Sequence, residues 1–217
     1  MNIGYKNIIW DWNGTLLNDA FACIYAMNVV LREHGLSQLD EERYMEVFGF
    51  PVKEYYKVLG FDFSKVVWED VAQSFIDIYK DKTMEAELHI NTFETFERLS
   101  GYDVDMHILS ACETGMLDKL VKKHKLNDFL ISVTGLDNIY AHSKVDVGLE
   151  MLKSLNCDLK DCLMVGDTIH DVEVSDALGI DCVLIEGGYQ SRDRLLNTGK
   201  PVLENITEVL AFIENQI

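Results

Sequence analysis

Basic residues are scarce in this chain: 19 Lys and Arg stand against 37 Asp and Glu, a formal charge of −18 with the histidines neutral. A field of that sign repels phosphate backbones and anionic lipid, so no nucleic-acid partner and no membrane partner are expected. Long apolar runs are missing as well, and none approaches the ~20 residues of a membrane span. The segment Met1–Asn7 is too short and too polar to act as a secretory signal, which predicts a soluble cytoplasmic protein. The five cysteines, Cys23, Cys112, Cys157, Cys162 and Cys182, are odd in number and form no C-x-x-C pair. That argues against a disulfide framework or a zinc site and for reduced core residues, with Cys112 nearest the candidate site below. Only two prolines, Pro51 and Pro201, occur in 217 residues, and no repeat or low-complexity linker is visible. Apolar material is plentiful: at 48% hydrophobic residues, disorder is excluded and one sizeable core is expected.

Periodicity divides the chain in two. A short apolar strand, Asn7–Trp10, runs straight into Asp11-Trp12-Asn13-Gly14-Thr15. Apolar residues then recur every three or four positions from Ala20 to His34, with Gly35 as a stop, and further helices are expected at 41–48, 52–59 and 64–82. The stretch from about Leu17 to Lys82 reads as all-helical. From His89 onward, strands at 104–109, 129–133, 162–165 and 182–185 alternate with helices at 92–100, 114–125, 145–154 and 172–178. Such alternation predicts an α/β fold with a doubly wound parallel sheet. The expected organisation is a core of residues 1–16 and 84–217, interrupted by a helical cap at 17–83.

In open α/β sheets ligands collect beyond the carboxyl ends of strands. Asp11 ends the first strand, Ser110 follows Met106-His107-Ile108-Leu109, and Asp167 follows Cys162–Val165 through Gly166 with Asp171 four residues on. Lys144 opens a helix. A carboxylate nucleophile, a hydroxyl, a cation and a carboxylate pair suit phosphoryl transfer. A divalent cation on oxygen ligands and an ammonium offset the repulsion between an attacking carboxylate and a phosphate dianion. Gly14 permits a tight turn that aims backbone N–H groups at the phosphate. Ser110 also fits a helix capping box with Glu113, a role compatible with phosphate binding.

The ordered set Asp11-Trp12-Asn13-Gly14-Thr15-Leu16, Ser110, Lys144 and Gly166-Asp167-Thr168-Ile169-His170-Asp171 resembles the haloacid dehalogenase superfamily, in its phosphatase branch with a helical cap. Phe48-Gly49-Phe50-Pro51 and Gly187-Gly188-Tyr189 resemble its phosphoglycolate-phosphatase-like group. The resemblance covers essentially the whole chain. It implies a Mg²⁺-dependent phosphatase, monomeric or homodimeric, acting on a small phosphorylated metabolite through an aspartyl-phosphate on Asp11. By the same resemblance Asp11, Asn13 (through its carbonyl), Asp167 and Asp171 are the metal residues. Trp12, Gly14, Thr15, Ser110, Ala111 and Lys144 are the phosphate-binding ones, and Asp11, Asn13, Ser110 and Lys144 the catalytic ones.

Two departures stand out. Asn13 occupies the position of the family's second aspartate, the general acid and base, and an amide cannot exchange a proton near neutral pH. That loss is worth about 10²–10⁴-fold, and it falls on substrates whose leaving group needs a proton. Restoring the acid by Asn13→Asp is therefore expected to rescue a dormant site or to broaden an active one. The second departure is that Lys144 sits in His142-Ser143-Lys144-Val145, without the prolines of the family motif. His170 is a candidate substitute acid. Tyr55, Tyr56, Trp68 and Phe75 are expected mostly in the cap core, one or two facing substrate. The alternative reading is a catalytically weak or retired relative that binds a phosphorylated ligand or a protein partner.

Overall fold

The computed structural model describes residues 4–136, 144–155 and 157–215. At its centre lies β1 (Asn7–Trp10), with all four residues buried. It pairs in parallel with β4 (Asp105–Glu113) on one side and β6 (Cys162–Gly166) on the other, Trp10 standing opposite Ile108 and Val165. The sheet continues through β5 (Leu130–Leu136) beyond β4, and through β7 (Asp181–Ile185) and β8 (Val202–Leu203) beyond β6, giving the order β5-β4-β1-β6-β7-β8. Every pairing in it is parallel.

Burial on both faces explains why these strands read as continuous apolar runs. Side chains alternate across the sheet. Ile8 and Trp10 enter a core with α5 (Thr92–Leu99), α6 (Thr114–Lys123) and α10 (Glu208–Glu214). Ile9 enters the opposite core with α7 (Lys144–Leu155), α8 (Ile169–Leu178) and α9 (Arg192–Leu196).

Between β1 and β4 the chain leaves the sheet through a two-stranded antiparallel ribbon, β2 (Leu17–Asn18) with β3 (Glu87–Leu88). Helices α1 (Ala20–Glu33), α2 (Glu41–Val47), α3 (Val52–Val58) and α4 (Trp68–Lys82) lie between the two ribbon strands. They enclose a separate apolar cluster that includes Met27, Leu31, Tyr44, Tyr56 and Val71, with Tyr189 from beyond β7 joining it. Arg194 on α9 donates from Nη1 to the carbonyls of Met45 and Phe48, both at 2.8 Å, and Gln190 Nε2 donates to the Phe48 carbonyl at 3.0 Å. These bonds tie the Phe48–Pro51 turn to the sheet layer. No described helix is long and apolar enough to cross a membrane. All five cysteines are free thiols.

The structure corrects several sequence readings. Leu17 and Asn18 are strand, because they pair with β3 across the insert, a contact no local pattern encodes. The helix expected from Ser64 begins at Trp68. The strand expected to end at Leu109 runs on to Glu113, so Ser110 lies within β4. Glu113, not Ser110, caps α6, its carboxylate accepting from the N–H groups of Gly115 and Met116. Helix α8 starts at Ile169, where Thr168 and Asp171 form a reciprocal capping box.

Candidate active site

Asp11 leaves β1 at the middle of the sheet, and its N–H donates to the Val165 carbonyl at 2.8 Å, which holds the residue beside β6. The following turn is forced by Gly14, whose φ of +82° side chains other than hydrogen disfavour. A Cβ at Gly14 would stand 2.3 Å from Asp167 Oδ2, so the loop after β1 and the loop after β6 are in direct contact. Thr15 seals that contact: its hydroxyl donates to Asp167 Oδ1 at 2.7 Å and lies 3.5 Å from Asp11 Oδ2.

Lys144, at the first turn of α7, is buried and reaches both neighbouring carboxylates. Its Nζ donates to Asp11 Oδ1 at 2.5 Å and to Asp171 Oδ1 at 2.7 Å. Burial alone would lower the ammonium, but Asp11 and Asp171 hold its pKa above the ordinary lysine value. The other Asp171 oxygen accepts from the Asp167 and Thr168 N–H groups at 3.2 and 3.0 Å and from the Thr168 hydroxyl at 2.7 Å. Asp171 is buried, yet Lys144 and these donors keep its carboxyl below the usual range.

Asp167 has no cation of its own among the described residues. Its oxygens accept from Thr15 and, at 2.6 Å, from the Tyr189 N–H. Gly188 makes that approach possible, since a Cβ there would lie 2.2 Å from Asp167 Oδ2. Burial, with Asp171 and Asp11 nearby, raises Asp167 well above the carboxylate range. Burial likewise raises Asp11 to about 7, against the lowering pull of Lys144. One oxygen from each of Asp11, Asp167 and Asp171 lies within 4.8 Å of the others. Three buried carboxylates against one ammonium leave a formal excess of two negative charges. An all-oxygen donor set with that excess fits a hard divalent cation.

Ser110 is buried in β4 with its Oγ accepting from the Cys112 N–H at 3.0 Å and lying 3.5 Å from Asn13 Oδ1. Asn13 turns its amide nitrogen the other way, donating to Asp19 Oδ2 and to the Tyr79 hydroxyl, both at 2.9 Å. Asp19 also accepts from the Gly14 N–H at 3.0 Å, from Tyr79 at 2.5 Å and from Tyr189 at 2.8 Å. Burial raises its pKa even so. His89 Nε2 pairs with the Gly14 carbonyl at 2.9 Å, bracing the turn from the ribbon side.

A cavity of about 170 Å³ opens from these groups into the helical insert. Asp11, Asn13, Ser110, Ala111, Lys144 and Asp171 line its sheet end, and the aromatic residues of α2, α3 and α4 line the other. The structure thus brings together the four sequence-derived groups Asp11, Ser110, Lys144 and the Asp167–Asp171 pair. It does not bring the Trp12 indole to the cavity: that side chain is fully buried in the sheet core, beside the His124 ring. Thr15 acts on Asp167 rather than on the cavity. Tyr55, Tyr56, Trp68 and Phe75 belong to the insert's core and also line the cavity. His170 stacks on Phe50 with centroids 4.3 Å apart and pairs through Nδ1 with Glu173 at 3.1 Å. His142 and Ser143, which precede Lys144 in its motif, lie outside the described residues. Burial pushes the Cys23 and Cys112 thiols up, so both stay protonated although they line the cavity.

Asp19, Tyr79, Tyr189 as a hydroxyl donor, and His89 were missed by sequence reasoning. Asp19 carries the composition of a helix N-cap, immediately before α1, but makes no capping bond and turns inward instead.

The family model of haloacid dehalogenase-like hydrolases matches residues 8–185. The chain is 24% identical over 200 residues to a 5'-nucleotidase of Pseudomonas aeruginosa, covering 88% of this chain and 87% of that protein. It is 25% identical over 206 residues to a phosphoglycolate phosphatase of Pseudomonas syringae pv. syringae, covering 92% and 73%. Among solved structures, a haloacid dehalogenase-like family hydrolase from Streptococcus pneumoniae superposes with a TM-score of 0.84 at 22% identity, over 96% of this chain and 98% of that one. The chain belongs to the haloacid dehalogenase-like hydrolases.

Proposed function

We propose that this haloacid dehalogenase-like hydrolase is a Mg²⁺-dependent phosphatase of a small phosphorylated metabolite, with Asp11 as its nucleophile. The observation that carries the reading is the Lys144 ammonium held between Asp11 and Asp171, with Asp167 alongside. An ammonium so placed neutralises the phosphoryl oxygens as they approach the Asp11 carboxylate. Ser110 adds a hydroxyl at the same end of the cavity. Asp11, Asp167 and Asp171, with the Asn13 backbone carbonyl, would hold the metal, and a bound Mg²⁺ supplies positive charge against the dianion. Asp171 has both oxygens engaged, so its main task is to fix Lys144 and the start of α8.

In this reading an Asp11 oxygen bonds to phosphorus as the ester oxygen departs, and water then cleaves the aspartyl-phosphate, regenerating the carboxylate. Residues 17–83 act as the cap that shields the site from bulk water. The five free thiols fit a cytoplasmic, reducing setting.

The test is phosphate release from a panel running from acetyl phosphate to sugar phosphates, with and without Mg²⁺, against an Asp11→Ala blank. Release that needs both the metal and Asp11 supports the phosphatase. No release above the blank on any substrate favours the second reading, a binding protein, for which the amide at Asn13 is the specific argument.

A further inference from the structure

We infer that the substrate's leaving group is a single aromatic ring, so that the protein hydrolyses a monocyclic aryl phosphate. The inference rests on the phosphatase reading above and joins two independent observations. The first is the cavity. Its far wall is built from Tyr44, Phe48, Tyr55 and Phe75, several in the edge-to-face geometry that aromatic rings favour: Tyr44 and Tyr55 meet at 85°, Phe48 and Tyr55 at 70°. Its volume is about 170 Å³. An apolar cavity of about 150 Å³ accepts benzene. The phosphoryl group takes the sheet end of this volume, so the leaving group has room for at most one ring, and a ribose with a base exceeds it.

Charge disfavours the obvious competitor. Phosphoglycolate carries a carboxylate beyond its phosphate, and burying that group requires a cation. Among the described residues lining the cavity, Lys144 is already committed to Asp11 and Asp171, Lys80 is exposed, and His170 pairs through Nδ1 with Glu173 while its Nε2 has no partner. The apolar end offers no buried positive charge.

The second observation is Asn13. Its amide nitrogen is engaged by Asp19 and Tyr79, and an amide has no proton to give to a departing oxygen. Asn13 therefore gives the leaving oxygen no proton, which favours a group that departs as an anion. A phenol, with a pKa of about 10 like that of tyrosine, does so far more readily than an alkyl alcohol. The balance needs no further reactant. Asp11 forms the oxygen–phosphorus bond, the phosphorus–oxygen bond to the ring breaks, and the electron pair leaves as phenolate, which takes a proton from solvent. Water then adds to phosphorus, the Asp11 oxygen leaves with its electron pair, and the water's proton passes to solvent.

The experiment compares phenyl phosphate, acetyl phosphate and phosphoglycolate on the Mg²⁺-loaded protein and on Ala72→Phe, which adds a ring to the cavity wall. Calorimetry of phenol with the wild type is a second measurement, independent of how the variant folds. Acetyl phosphate matches the aryl ester in not needing a proton but has no ring. The inference predicts that phenyl phosphate exceeds phosphoglycolate by about 10²-fold or more in kcat/KM, the size of missing acid catalysis. Its KM should lie roughly tenfold below that of acetyl phosphate, the discrimination an apolar pocket gives a hydrophobic group. Ala72→Phe should remove the second preference, and phenol should bind. If phosphoglycolate matches phenyl phosphate in kcat/KM, or acetyl phosphate matches it in KM, while release still needs Mg²⁺ and Asp11, the aromatic inference is overturned and the phosphatase stands. Failure of phenol to bind overturns it as well. No release from any substrate removes the phosphatase reading and the inference together.

Discussion

The side-chain nitrogen of half-buried Asn13 donates to the buried carboxylate of Asp19 at 2.9 Å, in a cluster closed by Tyr79, Tyr189 and the Gly14 N–H. The acid absent from position 13 is therefore present six residues later, one hydrogen bond away and behind the amide. This arrangement alters the expectation that Asn13→Asp alone restores an acid. Two carboxyl groups at that separation share one proton or repel each other. Asn13→Asp is predicted to lower the melting temperature and to leave turnover of alkyl phosphates unimproved. Asn13→Asp combined with Asp19→Asn restores a single charge and is predicted to raise that turnover by about 10²–10⁴-fold. Thermal denaturation and phosphate-release assays on the single and double variants check both statements.

Stability of the metal-free protein should fall as pH rises through the mildly acidic range. Burial raises Asp11 from its ordinary 3.8 to about 7, and Asp167 is raised in the same direction. A carboxyl whose folded pKa is raised binds protons more tightly when folded. Its contribution is thus fully present below the unfolded pKa and is lost between there and the folded value. Mg²⁺ binds the deprotonated site, so its stabilising effect should grow across the same window. Melting curves with and without MgCl₂ at about pH 5 and about pH 7.5 should show the larger metal-induced rise at the higher pH. Asp167→Asn should reduce the difference.

Removing the ammonium should be costly even without substrate. Lys144→Met leaves Asp11 and Asp171 buried without their counter-ion, a change worth about 3–5 kcal/mol. Denaturant titration measures it. Asp171→Asn in the same background should return part of the loss, because one of the two stranded charges is gone.

Gly188→Ala tests the close approach behind Asp167. The added methyl would meet Asp167 Oδ2 at 2.2 Å and push the carboxylate from its place. The variant is predicted to fold, to lose most of the Mg²⁺-induced rise in melting temperature, and to fall with Asp167→Asn in activity. A wild-type metal response would mean that Asp167 does not need its present position.

Much of the site was legible because its carriers are local motifs at strand ends. Asp11-Trp12-Asn13-Gly14-Thr15 and Gly166-Asp167…Asp171 declare themselves in a few residues each, and parallel pairing of β1 with β6 brings them together. The Asp19–Tyr79–Tyr189 cluster was not legible, since its members come from the start of α1, the end of α4 and the loop after β7. Their meeting depends on how the insert sits on the sheet, which no spacing records. Ser110 illustrates the intermediate case. Its position beside the site was read from the strand pattern, but the strand's continuation to Glu113 follows from pairing with β5 at Leu136 and was invisible locally. The ribbon β2–β3 failed for the same reason, its strands being two residues long and far apart in the chain.

The most direct test of the account is to find where the phosphoryl group goes. The protein with Mg²⁺ is mixed with acetyl phosphate, quenched in acid within a turnover, digested and examined by mass spectrometry. The account predicts a phosphoryl increment on the peptide carrying Asp11, absent from Asp11→Asn and lost on a chase in neutral buffer before the quench. Phosphate release with the increment on another residue, or with none at any quench time, would contradict it.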